Sequence, residues 1–268
     1  MTPVRKLVVI AVSCLIIGLY ACERQTPLSS GKLKILTTIA PLYSFVVNVA
    51  GDDALVENLL PAGAGPHEYA LSPADARRAA EADVLVINGI NLESWVQTLV
   101  DSASGKVRGR AKGKPIVVDS SAGIDIIGND PHIWLSLKNA IFQVQNIRDA
   151  LIRTDPDRRD AYLKNAGAYI ERLEDLDREI AAEISAWKRK DLVAFHAAYV
   201  YFARDYGLEI AAVIQETPES EPSPRHIARV IEIIKERRIS AIFTEPQLSH
   251  RIVNTLAADL GLQVYSLD

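Results

Sequence analysis

One amphipathic stretch, opening at Asp155-Pro156-Asp157 and running to about Lys188, constrains this chain more than any other feature. Tyr162, Ala166, Tyr169, Leu173, Leu176, Ile180, Ile184 and Trp187 recur there every three or four residues, the spacing that lines one face of an α-helix. With a rise of 1.5 Å per residue, a helix over the whole stretch would be about 50 Å long, wider than either flanking half and suited to a rigid strut joining two lobes. A coiled-coil arm is the other reading of such a stripe. It ranks lower, because the polar face carries charges of both signs and complete folding units, not further heptads, flank the stretch.

Each flank alternates short apolar runs with amphipathic segments, the signature of strand and helix units that build a parallel sheet. Strands are expected at residues 34–39, 55–60, 84–88 and 115–119 before the strut, and at 192–195, 210–214, 239–244 and 263–267 after it. Helices are expected near Pro41, near Ser72 with Pro73 in its first turn, near Leu92, and over residues 136–153; in the second half they begin near Ala198, Ser223 and Ser249. Serines suit helix starts, and Gly207 and Gly261 stand where helices should stop. The fold class is therefore α/β: two lobes, each a mostly parallel four-stranded sheet with flanking helices, joined by one long rigid helix. The expected divisions are a signal peptide at 1–21, a tether at 22–32, an N-terminal lobe at 33–154, the linking helix at 155–188 and a C-terminal lobe at 189–268.

The first segment differs in kind. Arg5 and Lys6 precede an apolar run from residue 7 to 19 that is short for a membrane span and reads as an export signal. It ends Leu19-Tyr20-Ala21-Cys22, which resembles the lipobox at which bacterial lipoproteins are cleaved and acylated, so Cys22 is the expected lipid anchor. A plain signal peptide cleaved after Ala21 is the alternative. Cys14 lies inside the signal, which leaves Cys22 as the only thiol of the mature chain and no intramolecular disulfide. The polar run that follows, with Pro27, Ser29, Ser30 and Gly31, reads as a flexible tether.

With 49% hydrophobic residues the exported part can bury a core without disulfides. A net charge of -4, from 30 basic and 34 acidic residues interspersed along the chain, gives no continuous basic surface, so nucleic acid is not expected as a partner.

Of five histidines, three fall at the carboxyl ends of expected strands, where open α/β sheets bind ligands. His67 ends the bent loop Leu60-Pro61-Ala62-Gly63-Ala64-Gly65-Pro66-His67, His132 lies in Asn129-Asp130-Pro131-His132, and His196 follows Leu192-Val193-Ala194-Phe195. Singly, each is more readily a satisfied polar residue than a ligand. Together they suit zinc, whose tetrahedral site needs one further donor, and Asp268 occupies the matching position at the end of the last strand.

These residues, with Glu68-Tyr69, Ser72-Pro73-Ala74-Asp75, Ile133-Trp134-Leu135, Tyr199-Val200-Tyr201-Phe202, Tyr206-Gly207-Leu208 and Phe243-Thr244-Glu245-Pro246-Gln247 in this order, resemble the ABC-transporter solute-binding proteins specific for zinc and manganese. The resemblance covers nearly everything after the tether. It implies a metal held between two lobes by His67 and His132 from one and by His196 and Asp268 from the other. It also implies a monomer that is anchored by lipid to a bacterial membrane, facing the periplasm or the cell surface, and that delivers Zn2+ to an ABC transporter permease. In this family the third position is typically histidine in zinc proteins and glutamate in manganese proteins, so His196 favours zinc; three imidazoles are also softer than a site with two carboxylates. Zinc members often carry a histidine-rich loop in the first lobe, whereas residues 119–130 hold no histidine, so Mn2+ stays open as the alternative cargo. Family members also continue past the final aspartate with a loop and a helix, so the resemblance expects either a truncated sequence or a second lobe without its last cover.

Glu68 is read as solvated or capping, Glu245 as a hydrogen-bonding group at a strand end, and His226 and His250 as surface residues in helix first turns. Tyr199, Tyr201 and Phe202 are read as core, and the acidic run Glu216, Glu219, Glu221 as a solvated loop or a face for the permease. A zinc hydrolase is the reading from another class, and it lacks a His-Glu-x-x-His or comparable signature. A surface adhesin would need an exposed apolar patch that no sequence pattern locates.

Overall fold

The computed structural model describes residues 31–67, 69–103, 105–107, 110–112, 114–215, 221–244 and 251–266. Its first sheet is built from β1 (Leu33–Thr37), β2 (Ala54–Asn58), β3 (Val84–Ile87) and β6 (Ile116–Asp119), in the order β2-β1-β3-β6 and parallel throughout. Helices α1 (Ala40–Ala50), α2 (Pro73–Glu81), α3 (Val96–Ser102) and α4 (Leu137–Thr154) belong to the same lobe. Leu42, Val46 and Val49 of α1, Leu85 and Val86 of β3, and Val144 and Ile147 of α4 are fully buried in one core.

Capping chemistry sets the helix starts. Ser72 Oγ accepts from the backbone N–H of Asp75 while Asp75 accepts from the Ser72 N–H, a reciprocal box that fixes the first turn of α2. Ser136 accepts from the Asn139 N–H and opens α4 in the same way.

The second sheet uses β7 (Asp191–His196), β8 (Glu209–Gln215), β9 (Ala241–Thr244) and β10 (Gln263–Ser266), again all parallel. Its order is β10-β9-β7-β8, which read from the other edge is the winding of the first sheet. The first strand of each lobe therefore lies inside, with the next strand on one side and the third on the other, and the carboxyl end of that inner strand borders the switch point where such sheets take ligands. Helices α6 (Val200–Tyr206), α7 (Pro224–Arg237) and α8 (Arg251–Leu260) complete this lobe. Gly207 takes the left-handed conformation that ends α6.

Between the lobes, the expected single helix is shorter than its stripe suggests. Asp155 leaves the helical region, Pro156–Arg158 form a 3-10 turn, and α5 runs from Arg159 to Ser185, 27 residues and about 40 Å. The proline explains the difference, since the residue before it is steered out of the helical region and its ring nitrogen donates no hydrogen bond. Tyr162, Ala166 and Leu173 of α5 pack into the first core, whereas Leu176 is 42% exposed, so the apolar stripe is not covered along its whole length. Tyr206 of the second lobe donates to Asp177 of α5 at 2.7 Å.

Two further expectations need correction. The helix expected near Leu92 starts at Val96, because residues 88–95 are drawn into a tight loop by the Glu93 carboxylate. The helix expected near Ala198 starts at Val200, after a turn in which the Ala198 N–H reaches the His196 carbonyl. An antiparallel ribbon of β4 (Gly105–Val107) and β5 (Arg110–Lys112), unforeseen in the sequence, stands between α3 and β6. No described helix is long and apolar enough to cross a membrane.

Candidate metal centre

His67 arrives on the loop after β2, His132 on the loop between β6 and α4, and His196 as the last residue of β7. The structure brings all three together, each offering a ring nitrogen within 4.8 Å of the others. His132 and His196 are buried and His67 is half-buried. The ring centroids of His132 and His196 are 4.8 Å apart, edge to face, and those of His67 and His196 are 6.3 Å apart.

Two of these ring nitrogens already have the spacing that an ion would require. His67 Nε2 and His132 Nε2 are 3.3 Å apart. A tetrahedral zinc with bonds of about 2.0–2.1 Å places neighbouring nitrogens about 3.3 Å apart, so this pair needs no movement to become one edge of the site. A small shift of the third ring would complete the face.

Asp130 fixes how His132 presents itself. Its Oδ1 accepts from the His132 backbone N–H at 2.8 Å and lies 2.8 Å from Nδ1. The carboxylate assigns the proton to Nδ1 and leaves the Nε2 lone pair facing His67, the carboxylate–imidazole arrangement that supports metal-binding histidines.

The loop carrying His132 is fastened from both lobes. Tyr201 of α6, fully buried, donates its hydroxyl to the Asp130 carbonyl at 2.7 Å and accepts from the Ile127 N–H at 3.2 Å. Burial pushes the Tyr201 phenol above its ordinary pKa, which keeps it a donor. Ser136 bonds Asp205 across the same junction, and Ile124, Ile133 and Tyr201 form a small shared core.

In the first lobe, a buried carboxylate holds the turn that follows β3. Glu93 accepts from Thr38 Oγ1 at 2.5 Å, from the Asn88 N–H at 2.8 Å and from the Gly89 N–H at 3.3 Å. Burial raises its pKa, while those three donors act in the opposite direction.

The other sequence candidates fall elsewhere. His226 is half-buried in the first turn of α7, its Nε2 2.8 Å from the Val213 carbonyl, apart from the cluster. Cys22, Glu68, Glu216, Glu219, Glu245, His250 and Asp268 lie outside the described residues, and Glu221 is exposed. Sequence reasoning passed over Asn88, Glu93, Trp95 and the roles of Asp130 and Tyr201. Of these only Asp130 had a local signal, an aspartate two residues before a candidate ligand.

Two lobes wound alike, with imidazoles converging from strand ends and loops of both, suit enclosure of a small ligand, and the class they define is the two-lobed solute-binding proteins. Within it, the chain belongs to the family described as zinc-uptake complex component A, periplasmic (ZnuA), which matches residues 35–268. The zinc-binding lipoprotein AdcA of Streptococcus pneumoniae is 36% identical over 271 residues, covering 97% of this chain and 54% of that protein. The chain thus spans about half the length of the AdcA relatives it matches. Among solved structures, the Zn(II)-bound ZnuA-like domain of S. pneumoniae AdcA superposes with a TM-score of 0.76 at 38% identity, over 89% of this chain and 88% of that one. The SBP FpvC of Pseudomonas aeruginosa in complex with Mn2+ gives a TM-score of 0.77 at 32% identity, over 88% of each chain.

Proposed function

We propose that this chain captures a divalent transition metal, zinc foremost, between its lobes and hands it to an ABC transporter permease. His67, His132 and His196 bind the ion as cargo, and Asp268 supplies the fourth donor. The observation that carries the reading is the 3.3 Å separation of the His67 and His132 Nε2 atoms, with Asp130 holding the His132 ring so that the lone pair faces inward. Membership of a zinc-uptake family supports the same cargo. The protein is a carrier and not an enzyme: four protein donors leave no open position for a metal-bound water, which a zinc hydrolase needs. Extracytoplasmic placement through a lipid on Cys22 fits this role.

Manganese is the second reading, favoured by the Mn2+ seen in FpvC. Three imidazoles place zinc ahead of it, because nitrogen donors follow the Irving–Williams order and manganese prefers oxygen.

The deciding experiment is zinc titration against a competing chelator, for the wild type and for alanine variants of His67, His132, His196 and His226. Each of the first three should weaken binding by far more than His226→Ala, since each would remove a direct bond to a buried ion. Equal affinity across the set would sink the assignment.

A further inference from the structure

Both histidines that the first lobe contributes follow a proline, and one short segment grips both prolines by their carbonyls. Asn88 Nδ2 donates to the Pro131 carbonyl at 2.8 Å, and Trp95 Nε1 donates to the Pro66 carbonyl at 2.8 Å. A carbonyl oxygen lies in the same rigid peptide plane as the nitrogen and Cα of the next residue, and a proline ring fixes φ on the other side of that plane. Pinning the oxygen of Pro66 therefore fixes where the His67 side chain begins, and pinning that of Pro131 does the same for His132.

The gripping segment is itself held in a shape that a chain would not adopt unaided. Gly89, Ile90 and Asn91 have φ of 88°, 55° and 56°, three consecutive residues in the left-handed region that side chains resist. A side chain at position 89 would collide with the Asp119 carboxylate. Glu93 closes the loop by accepting the Asn88 and Gly89 N–H groups, and Gln143 Nε2 donates to Asn88 Oδ1 at 3.2 Å from behind. Trp95 is buried with its ring tilted against Tyr69, centroids 5.6 Å apart. A bare packing role would not require both polar nitrogens to end on the residue before a histidine.

We propose that residues 88–95 are a clamp that sets the separation of His67 and His132, with Asn88 and Trp95 as positioning residues for metal capture; this rests on the metal-binding reading above. Trp95 acts through His67 alone and Asn88 through His132 alone. That division separates positioning from general stabilisation, because a residue that works only through a ligand has nothing to contribute once the ligand is gone.

The test measures zinc affinity by chelator competition for W95F and N88A, each in the wild-type, H67A and H132A backgrounds. W95F should weaken zinc binding about tenfold in the wild-type and H132A backgrounds, as expected for loss of a group that orients a ligand, and less than twofold in H67A. N88A should follow the reverse pattern, tenfold in wild type and H67A and less than twofold in H132A. Penalties equal in all three backgrounds, or no penalty in a wild type that binds zinc, would overturn the clamp. Should N88A fail to fold, W95F, which keeps an aromatic ring and removes the indole N–H, decides by itself. A wild type that binds no zinc would instead overturn the metal reading, and the clamp with it.

Discussion

Replacing Asp130 with alanine is the sharpest probe of the proposed centre, since it removes a support of His132 and none of the proposed ligand atoms. In the structure one oxygen, Oδ1, meets both the His132 backbone N–H and Nδ1 at 2.8 Å, and the carboxylate side chain is only 19% exposed. Hydrogen bonds to a charged acceptor contribute about 1.5–3 kcal/mol each. The bond to Nδ1 is the one that a bound state would use directly, because it fixes the tautomer and the orientation of the ring. Its loss should weaken zinc binding by about 10- to 100-fold, or about 1.4–2.7 kcal/mol. Asp130→Asn retains an oxygen acceptor without charge, so it should lose about half that free energy. Chelator competition at one fixed pH reads the affinity, and the melting temperature of the metal-free protein separates folding from binding. If Asp130→Ala binds zinc within twofold of the wild type, the carboxylate does not support the ligand and the inward-facing lone pair is wrongly assigned.

Four other outcomes follow from the same residues. His196→Glu exchanges a nitrogen donor for a hard carboxylate, so paired titrations with zinc and manganese at one pH should show their affinity ratio falling at least about tenfold, or 1.4 kcal/mol; an unchanged ratio would exclude His196 as a ligand. Burial alone would raise the pKa of Asp75, but hydrogen bonds from Ser72, Arg78 and Tyr69 outweigh it and hold the carboxyl at about 2. Its stabilisation, about 2 kcal/mol, is complete above the unfolded value near 3.9 and lost as pH falls toward 2, so acid titration of Asp75→Asn should lack that component of the wild-type transition. Cys22→Ala should move the protein from the membrane to the soluble fraction, and retention in the membrane would mean that the leader remains as an anchor. Because Tyr201, Ile124 and Ile133 already share a buried cluster across the lobes, small-angle scattering should give metal-free and zinc-loaded forms the same radius of gyration within about 1 Å, and a larger change would refute a metal-independent junction.

The fold was legible wherever a period in the sequence met a boundary residue. All eight expected strands of the two sheets are present within two residues of their expected limits across the described chain. The inner strands β1, β3 and β7 are buried along nearly their whole length and write continuous apolar runs, and the more exposed edge strands β2, β6 and β10 still carry short apolar stretches bounded by polar residues. Ser72, Ser136 and Ser223 marked helix starts through bonds to the third residue onward, which any local reading can anticipate. The β4–β5 ribbon had no such signal: Gly105-Lys106-Val107 and Arg110-Ala111-Lys112 show no alternating apolar face. Leu176 misled in the opposite direction, since helical spacing records which side chains share a face and not whether anything covers that face.

That His67, His132 and His196 converge was legible because each stands at the carboxyl end of a strand or in a sharply bent loop, and an open sheet gathers such ends at its switch point. What escaped was everything that aims them. Trp95 reaches back 29 residues to Pro66, and Asn88 reaches forward 43 to Pro131, so neither bond leaves a trace in the local pattern. The helix expected near Leu92 begins only at Val96, because the Glu93 carboxylate turns back to the backbone N–H groups of Asn88 and Gly89. Ligand identity is set by residue type and is readable one residue at a time. Ligand spacing is set by carbonyls whose oxygens carry no residue identity, so a separation of 3.3 Å becomes visible only once the chain has been folded.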